Sequence, residues 1–290
     1  TIPVNSPFLR GILRSIDWAP ANRVLFASPG RALQARQIRI KSLFMSKYIA
    51  VAASKGGTGK TTTTWNLGFG LALAGARVLI VDCDPQDNLR FIAGMEESKS
   101  TLASAIEAGT MEPVELREGV TLLPSGGRRL AQAVSSADGL RTLTAPIKRA
   151  IGGEFDLVVF DCPPEYGRMT QAALALSDYL VVPCVSTWLG LRSIEQMIEF
   201  IDSHSRDAHI DGDRVGVLLT FYTTRRGGPE AVRQEAKKLF KQRLLRTLIR
   251  ERSEIDYSQE AHKSVFEYSP RSDGSEDYAA LAKEVIKHLQ

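Results

Sequence analysis

A glycine-rich loop between a strand and a helix is the feature that most constrains the fold of this chain. The run Lys55-Gly56-Gly57-Thr58-Gly59-Lys60-Thr61-Thr62 follows an apolar segment at residues 49–53 and precedes a segment of helical length. Small residues let the backbone wrap around a phosphate chain, and the following helix presents the positive end of its dipole. We therefore predict a phosphate-binding loop, in which Lys60 reaches the β- and γ-phosphates and the Thr61 hydroxyl ligates Mg²⁺.

The helix that follows the loop has a sequence with low helical propensity. Residues 61–64 are four threonines, which are β-branched, and Gly68 and Gly70 are poor helix formers. Such a choice of residues indicates that close packing and ligand contact matter more here than local helix stability.

Two acidic motifs follow apolar segments further along the chain. Residues 78–81 read as a buried strand that ends in Asp82-Cys83-Asp84-Pro85-Gln86, and residues 157–160 read as a second strand that ends in Asp161-Cys162-Pro163-Pro164. In an open parallel sheet the ligand crevice lies at the carboxyl ends of the strands. We expect Asp82, Asp84 and Asp161 to lie at the same edge as the phosphate loop.

These aspartates suit the chemistry of a nucleotide site. Asp161 is the candidate for holding Mg²⁺ through a water molecule, because this ion keeps much of its hydration shell and takes only one or two carboxylates. Asp82 is expected to share that water shell, and Asp84 to orient or deprotonate the attacking water. The alternative for each aspartate alone is a loop cap or a turn.

At these motifs the sequence resembles the ParA group of deviant Walker-A ATPases. The resemblance runs from about Met45 to the C-terminus and includes the glycine loop, both acidic motifs and the segment Ser264-Val265-Phe266-Glu267-Tyr268. The loop departs from the general phosphate-loop pattern at Ser54, where a glycine is expected, and carries the additional lysine Lys55. The resemblance implies ATP and Mg²⁺ as cofactors, with the nucleotide bound by Gly56, Gly57, Thr58, Gly59, Lys60, Thr61 and Thr62.

The resemblance also implies a role for Lys55. In this group two subunits form an ATP-dependent sandwich dimer, and the additional lysine crosses the interface to touch the phosphates of the partner. Such a lysine would supply positive charge where negative charge develops during phosphoryl transfer. The alternative is that Lys55 merely faces solvent.

Length and strand pattern predict one α/β domain over residues 45–290. Apolar strands recur at residues 78–81, 157–160, 179–182 and 215–219, with helical patterns among them. This arrangement favours a single doubly wound, mainly parallel sheet with helices on both faces, as in P-loop NTPases. The three cysteines have no metal-binding spacing and are expected to be reduced, buried thiols of a cytoplasmic protein.

Residues 1–44 do not share this pattern. They contain seven basic residues and the acid Asp17, a net charge of +6, so the whole-chain charge of +4 leaves −2 for residues 45–290. We interpret them as an upstream extension or translated leader that packs poorly against the domain. A transit peptide and an arm that binds nucleic acid are the alternatives.

A second basic segment lies within the domain. Residues 233–252 carry eight basic residues against Glu235 and Glu251, a local net charge of +6. Clustered cations of this kind neutralise phosphates and predict sequence-independent, salt-sensitive binding of DNA, which the family resemblance also implies. The alternative is a solvated helix face. The candidate DNA-binding residues are Arg233, Lys237, Lys238, Lys241, Arg243, Arg246, Arg250 and Arg252.

Together these features predict a nucleoid-associated ATPase that segregates or positions a plasmid, a chromosome or a protein assembly, with a ParB-like protein stimulating hydrolysis. A MinD-like membrane-associated ATPase and an ATP-gated DNA-coating module with slow turnover are the alternatives, although the last helix lacks a lysine- and aromatic-rich extension. A nitrogenase-reductase-like protein would need cysteines positioned to bridge a dimer. No membrane attachment is expected.

Overall fold

This computed structural model describes residues 46–203, 214–223 and 228–290, so the predicted extension at residues 1–44 lies outside the described residues. The strands are β1 (Lys47–Val51), β2 (Val78–Asp82), β3 (Val114–Arg117), β4 (Val120–Leu123), β5 (Leu157–Asp161), β6 (Tyr179–Val185), β7 (Val215–Tyr222) and β8 (Leu244–Arg250). The helices are α1 (Lys60–Leu73), α2 (Asn88–Ile92), α3 (Leu102–Ala108), α4 (Arg128–Ser135), α5 (Leu140–Ile151), α6 (Arg168–Leu176), α7 (Trp188–Ser203), α8 (Gly228–Phe240), α9 (Ser253–Glu260), α10 (Val265–Tyr268) and α11 (Asp273–Leu289).

The strands form one sheet in the order β3-β4-β2-β5-β1-β6-β7-β8. Every neighbouring pair is parallel except β3 and β4, which are antiparallel at one edge. The register sets Asp82 beside Asp161 at the carboxyl ends of β2 and β5. The predicted mainly parallel sheet is confirmed, and all the predicted strands are present with slightly different bounds.

Alternation along the strands divides the core between the two faces of the sheet. On β1, Tyr48 and Ala50 pack on the face covered by α3 to α8, whereas Ile49 and Val51 pack on the face covered by α1, α2 and α9 to α11. Strands of this kind are apolar on both sides because helices cover both faces. The predicted doubly wound architecture is therefore confirmed.

The two glycines of α1 allow close contacts on the second face. A Cβ atom at Gly68 would lie 2.5 Å from Cδ1 of Ile80, and one at Gly70 would lie 3.0 Å from Cβ of Ala282 in α11. The prediction that α1 gave up helical propensity for close packing is confirmed at both positions. Glycine at these two positions therefore lets the helix contact the sheet and α11 directly.

The basic segment does not form one helix face. It runs through the end of α8, a 3₁₀ turn at Lys241–Arg243 and the edge strand β8. The alternation of apolar and polar residues in β8, with Leu245 and Ile249 buried and Arg246 exposed, is the strand signal within this segment. Glu284 of α11 accepts hydrogen bonds from the N–H groups of Arg246 and Thr247, at 2.7 and 2.9 Å.

Candidate nucleotide-binding site

The glycine loop leaves the carboxyl end of β1 and opens directly into α1. Gly57 and Gly59 have φ values of 72° and 85°, which a side chain would disfavour. Gly59 is the N-cap residue and supplies no side-chain cap to the helix. The first N–H groups of α1 are therefore available to a ligand, and the helix dipole favours an anion at this position.

Lys60 lies folded back over the loop. Its ammonium group donates a hydrogen bond to the carbonyl oxygen of Lys55 at 2.9 Å, and the side chain is largely buried. Burial lowers the pKa of Lys60, while the nearby carboxylates of Asp161 and Asp84 oppose that change. The loop thus holds one buried cation between its own backbone and two acids, the position predicted for a phosphate-binding lysine.

Asp161 presents an unpaired carboxylate oxygen at this edge of the sheet. Thr64 donates to Oδ1 at 3.0 Å, whereas the described residues supply no hydrogen-bond donor to the buried Oδ2. Burial raises the pKa of Asp161 to about 7, and the hydroxyls of Thr61 and Thr64 oppose this rise. A buried carboxylate oxygen without a donor is costly unless a ligand satisfies it.

These residues fit a magnesium ion. Thr61 and Asp161, predicted to lie together, do so across α1 and β5. The described residues hold no cluster of three or more His, Cys, Asp or Glu side chains able to enclose a metal. Mg²⁺ commonly binds through one or two carboxylates together with substrate phosphates and water, and Asp161 with Thr61 would hold it here. Bound there, it would neutralise charge on the phosphates.

Asp82 and Asp84 shape the turn after β2. The two oxygens of Asp82 accept from the N–H groups of Asp84 and Leu89, at 2.9 and 3.0 Å. Burial, followed by the charge of Asp161, raises the pKa of Asp82 well above its ordinary value. Asp84 accepts from the N–H of Gln86 at 2.9 Å. It also lies close enough to Lys60 for its carboxylate to raise the pKa of that lysine. Both aspartates reach the predicted edge, and their roles in the water shell and in activating water stay predictions.

Sequence reasoning missed three contacts that hold the site. Thr64 is one; it lies three residues from Thr61, and this helical spacing in the threonine run was an available signal. Gln259 of α9 donates to the hydroxyl of Thr62 at 3.3 Å. Thr220 of β7 donates to the carbonyl oxygen of Thr58 at 3.0 Å. The last two depend on tertiary contacts more than 150 residues apart in sequence, for which the sequence contains no local signal.

Lys55 is exposed and lies beside a cavity of about 240 Å³. This cavity separates the loop from the start of α7, where Thr187, Gly190 and Ser193 line it. Two large apolar side chains next to it are also exposed, Trp188 at 57% and Leu189 at 69%. The loop lysine and an apolar surface therefore share one side of the domain.

The predicted DNA-binding residues fall into two groups. Arg250 binds both carboxylate oxygens of Asp277 at 2.7–3.0 Å, and Arg252 binds Asp273 at 2.8 Å, so both arginines are tied to the first turns of α11. Lys238 pairs with Glu235 at 2.9 Å, and Arg233 lies 3.9 Å from Glu230. The exposed members are Lys237, Lys238, Lys241 and Arg246, whereas Arg233 and Arg243 are half-buried.

The fold and the open glycine loop at its sheet edge define the chain as a P-loop nucleotide-binding protein. A family model described as an AAA domain matches residues 46–211. The chain is 32% identical over 253 residues to the sporulation initiation inhibitor protein Soj of Bacillus subtilis, covering 83% of this chain and 98% of that protein. It is 28% identical to the chromosome partitioning protein ParA of Myxococcus xanthus, covering 84% and 89% of the two chains.

A solved structure agrees with these relatives. The septum site-determining protein MinD from Pyrococcus horikoshii, complexed with Mg-ADP, is 25% identical, with a TM-score of 0.70 over 84% of this chain and 97% of that one. The chain belongs to the ParA/MinD family of P-loop ATPases. It is an ATP hydrolase of the segregation and positioning class, with ATP and Mg²⁺ as cofactors.

Proposed function

We propose that this chain is an ATP-switched, DNA-binding ATPase that segregates or positions a cargo, with two copies joined by ATP. The observation that carries the proposal is the pairing of the nucleotide loop with an exposed cationic surface on the same domain. ATP would bring two domains together, the paired cationic surfaces would hold one DNA segment, and hydrolysis would release it.

The surface beside the loop supports the dimer. Lys55, Trp188 and Leu189 are exposed on one side, next to the cavity behind the loop. A two-fold interface uses the same patch on both copies, so Lys55 of each copy would point toward the nucleotide of the other. Large apolar side chains are the residues that such interfaces bury.

The dimer is tested by substituting the apolar and charged parts of this surface separately. Trp188→Ser should lower the fraction of dimer that light scattering measures with ATP, while Phe91→Ser, which removes an equally exposed ring from α2, should not. Lys55→Ala should lower both dimer formation and phosphate release. Normal dimer formation and hydrolysis by Lys55→Ala would refute the role in trans.

The exposed cations near β8 support the DNA surface. Lys237, Lys238, Lys241 and Arg246 lie at the end of α8, in the following turn and early in β8. Since β8 runs in the same direction as β1, it begins at the amino ends of the strands. The glycine loop lies at the carboxyl ends, on the opposite side of the domain. We place the principal DNA contacts on Lys237, Lys241 and Arg246. Lys238, Arg250 and Arg252 receive a smaller share, since Glu235 and α11 already supply them with carboxylates.

A charge-matched pair of variants tests this surface. The triple variant Lys237→Gln, Lys241→Gln and Arg246→Gln should weaken binding to nonspecific duplex DNA and reduce the slope of log affinity against log salt by up to about 3. The control removes three exposed cations from α4 and α5, Arg128, Arg141 and Lys148, and should change neither quantity by as much. Both proteins are measured without nucleotide, with ADP, and with ATP in an Asp84→Ala background.

Equal losses of DNA affinity in the two triple variants would show that net charge causes the effect, and would refute the proposed DNA-binding surface. Binding that ignores nucleotide would favour a DNA-coating module, and absent binding would favour a MinD-like membrane ATPase. No helix among the described residues is long and apolar enough to cross a bilayer.

We further propose a ParB-like activator and a cytoplasmic, nucleoid-associated location. Stimulated phosphate release tests the activator, and fluorescence imaging tests the location.

A further inference from the structure

Asp87 has an unusual backbone conformation at the end of the turn that carries Asp84. Its φ is 57° and its ψ is 38°, in the left-handed region that residues other than glycine seldom adopt and that aspartate and asparagine tolerate best. The N–H of Asp87 donates to the carbonyl oxygen of Asp84 at 2.9 Å and closes the turn. Strain of this kind persists only where the surroundings impose it, and it concentrates at functional sites.

The carboxylate of Asp87 is buried and accepts hydrogen bonds on both of its oxygens. Oδ1 accepts from the N–H and the hydroxyl of Ser125, at 2.9 and 3.0 Å, and Oδ2 accepts from the guanidinium of Arg90 at 2.8 Å. Ser125 is buried just after β4, where its carbonyl oxygen accepts from the N–H of Ala103 in α3 and its hydroxyl accepts from the N–H of Gly127, both at 3.1 Å. Asp87 therefore joins the turn to a strand end that further hydrogen bonds hold in place.

The turn that carries Asp84 is anchored at both of its ends. Asp82, the last residue of β2, accepts from the N–H of Asp84 at 2.9 Å, and Asp87 binds Ser125 after β4. Because β2 and β4 are neighbours in the sheet, the two anchors lie on adjacent strands. Asp84 lies between them, and its carboxylate is near enough to Lys60 to oppose the effect of burial on the pKa of that lysine. A shift of the turn would therefore move this carboxylate relative to the phosphate-binding lysine.

We propose that Asp87 is a positioning residue for ATP hydrolysis, whose carboxylate holds the turn so that Asp84 keeps its orientation toward the attacking water. The inference rests on the role predicted for Asp84 in the proposed ATP-switched ATPase, and it is independent of DNA binding. A displacement of about 1 Å in a catalytic group is enough to lower a rate about 100-fold. The phosphates would bind at the glycine loop, which belongs to β1 and α1, so loss of the Asp87 carboxylate should lower turnover more than ATP affinity.

Two substitutions separate the left-handed backbone from the carboxylate. Asp87→Gly accepts the backbone conformation and removes the carboxylate, whereas Asp87→Asn tolerates the same conformation and keeps an oxygen that accepts from Ser125. At saturating Mg-ATP, phosphate release by the full chain should fall about 10- to 100-fold in Asp87→Gly and no more than about fivefold in Asp87→Asn. Calorimetry with Mg²⁺ and a non-hydrolysable ATP analogue should give affinities within about twofold of the unsubstituted protein for both variants.

A double-variant cycle tests whether Asp87 acts through Asp84. In an Asp84→Ala background, Asp87→Gly should change kcat by less than about twofold, because the group that it positions is absent. Ser125→Ala, which removes one donor and keeps the backbone N–H, should show the same dependence on Asp84 with a loss of about fivefold, so the test does not depend on the folding of Asp87→Gly. The control is Asp156→Asn, a buried aspartate just before β5 whose donors are also an N–H and a guanidinium, and it should leave kcat per folded molecule unchanged.

The contrary outcomes differ in meaning. A further large loss from Asp87→Gly in the Asp84→Ala background, or parallel losses of kcat and ATP affinity, would overturn the inference, because Asp87 would then only maintain the local fold. Unchanged kcat in Asp87→Gly, beside a slow Asp84→Ala variant, would also overturn it and would leave the role of Asp84 in place. Normal kcat in Asp84→Ala would refute that role and the inference with it.

Discussion

Replacing Asp161 by asparagine should stabilise the protein when nucleotide and metal are both absent. Its carboxyl group is buried, Thr64 donates to only one of its oxygens, and burial raises its pKa to about 7. At pH 8 the folded protein must therefore hold a poorly solvated charge. Asparagine has nearly the same shape, keeps an acceptor for Thr64 and carries no charge.

The raised pKa sets the size of this effect. In the unfolded chain the carboxyl group ionises near 3.8, whereas in the folded protein it ionises near 7. At 1.36 kcal/mol per pH unit, this difference amounts to about 4 kcal/mol of lost stability at pH 8. The charge of Asp161 also raises the pKa of the neighbouring Asp82. A neutral residue at position 161 would therefore lower the free-energy cost of keeping Asp82 ionised. We expect a gain of about 2–4 kcal/mol in the free energy of unfolding.

The pH dependence has a definite sign. Since the pKa is higher in the folded state, the protonated form stabilises the fold fully below about 3.8, and that stabilisation is lost as the pH rises to about 7. The gain from Asp161→Asn should therefore shrink from about 2–4 kcal/mol at pH 8 to about half that size at pH 5. Urea denaturation at the two pH values, with a chelator and without nucleotide, measures both quantities.

A buried aspartate with partners provides the control. Asp156 accepts from the backbone N–H of Arg77 at 2.8 Å and from its guanidinium at 3.1 and 3.3 Å. Asp156→Asn should therefore destabilise the protein at pH 8. Asp161→Asn should also lose the effect of Mg²⁺ on ATP affinity. A less stable Asp161→Asn variant at pH 8, or a gain that does not depend on pH, would refute the reasoning.

Two further predictions concern packing and ion pairing. Gly68→Ala should lower the free energy of unfolding by about 1–3 kcal/mol, because the new methyl group would meet Cδ1 of Ile80 at 2.5 Å. Ile80→Val removes that Cδ1 atom, so the double variant should recover part of the loss in thermal denaturation. A double variant less stable than Gly68→Ala alone would contradict the proposed contact. Arg250→Gln should lower the free energy of unfolding by about 1–2 kcal/mol, since it leaves the buried Asp277 without its cation. Fluorescence anisotropy should show that it changes DNA affinity less than Lys241→Gln does. The reverse order of DNA effects would move the DNA surface toward the nucleotide edge.

Much of the fold and of the nucleotide site could be predicted from local sequence. Apolar runs that end in Asp82 and Asp161 fix both acids at the carboxyl edge, because parallel strands all end at the same side of a sheet. The glycine loop between β1 and α1 is equally local, since its conformation depends on small residues within one turn. The low helical propensity at Gly68 and Gly70 also had a local signature, although its partners did not.

The tertiary structure alone decided which charged and aromatic groups have partners. In the sequence, Arg250 cannot be distinguished from the other cations of its segment. Its partner Asp277 lies in α11, more than 20 residues later. The exposed ring of Phe221 lies between two residues held by distant parts of the chain, since Thr220 donates to the carbonyl oxygen of Thr58 and the carbonyl oxygen of Tyr222 accepts from the N–H of Glu251. Composition and periodicity report the burial of a residue and the element it occupies, whereas its charge partners depend on long-range packing. That packing therefore determines which of the predicted cations are exposed at the surface.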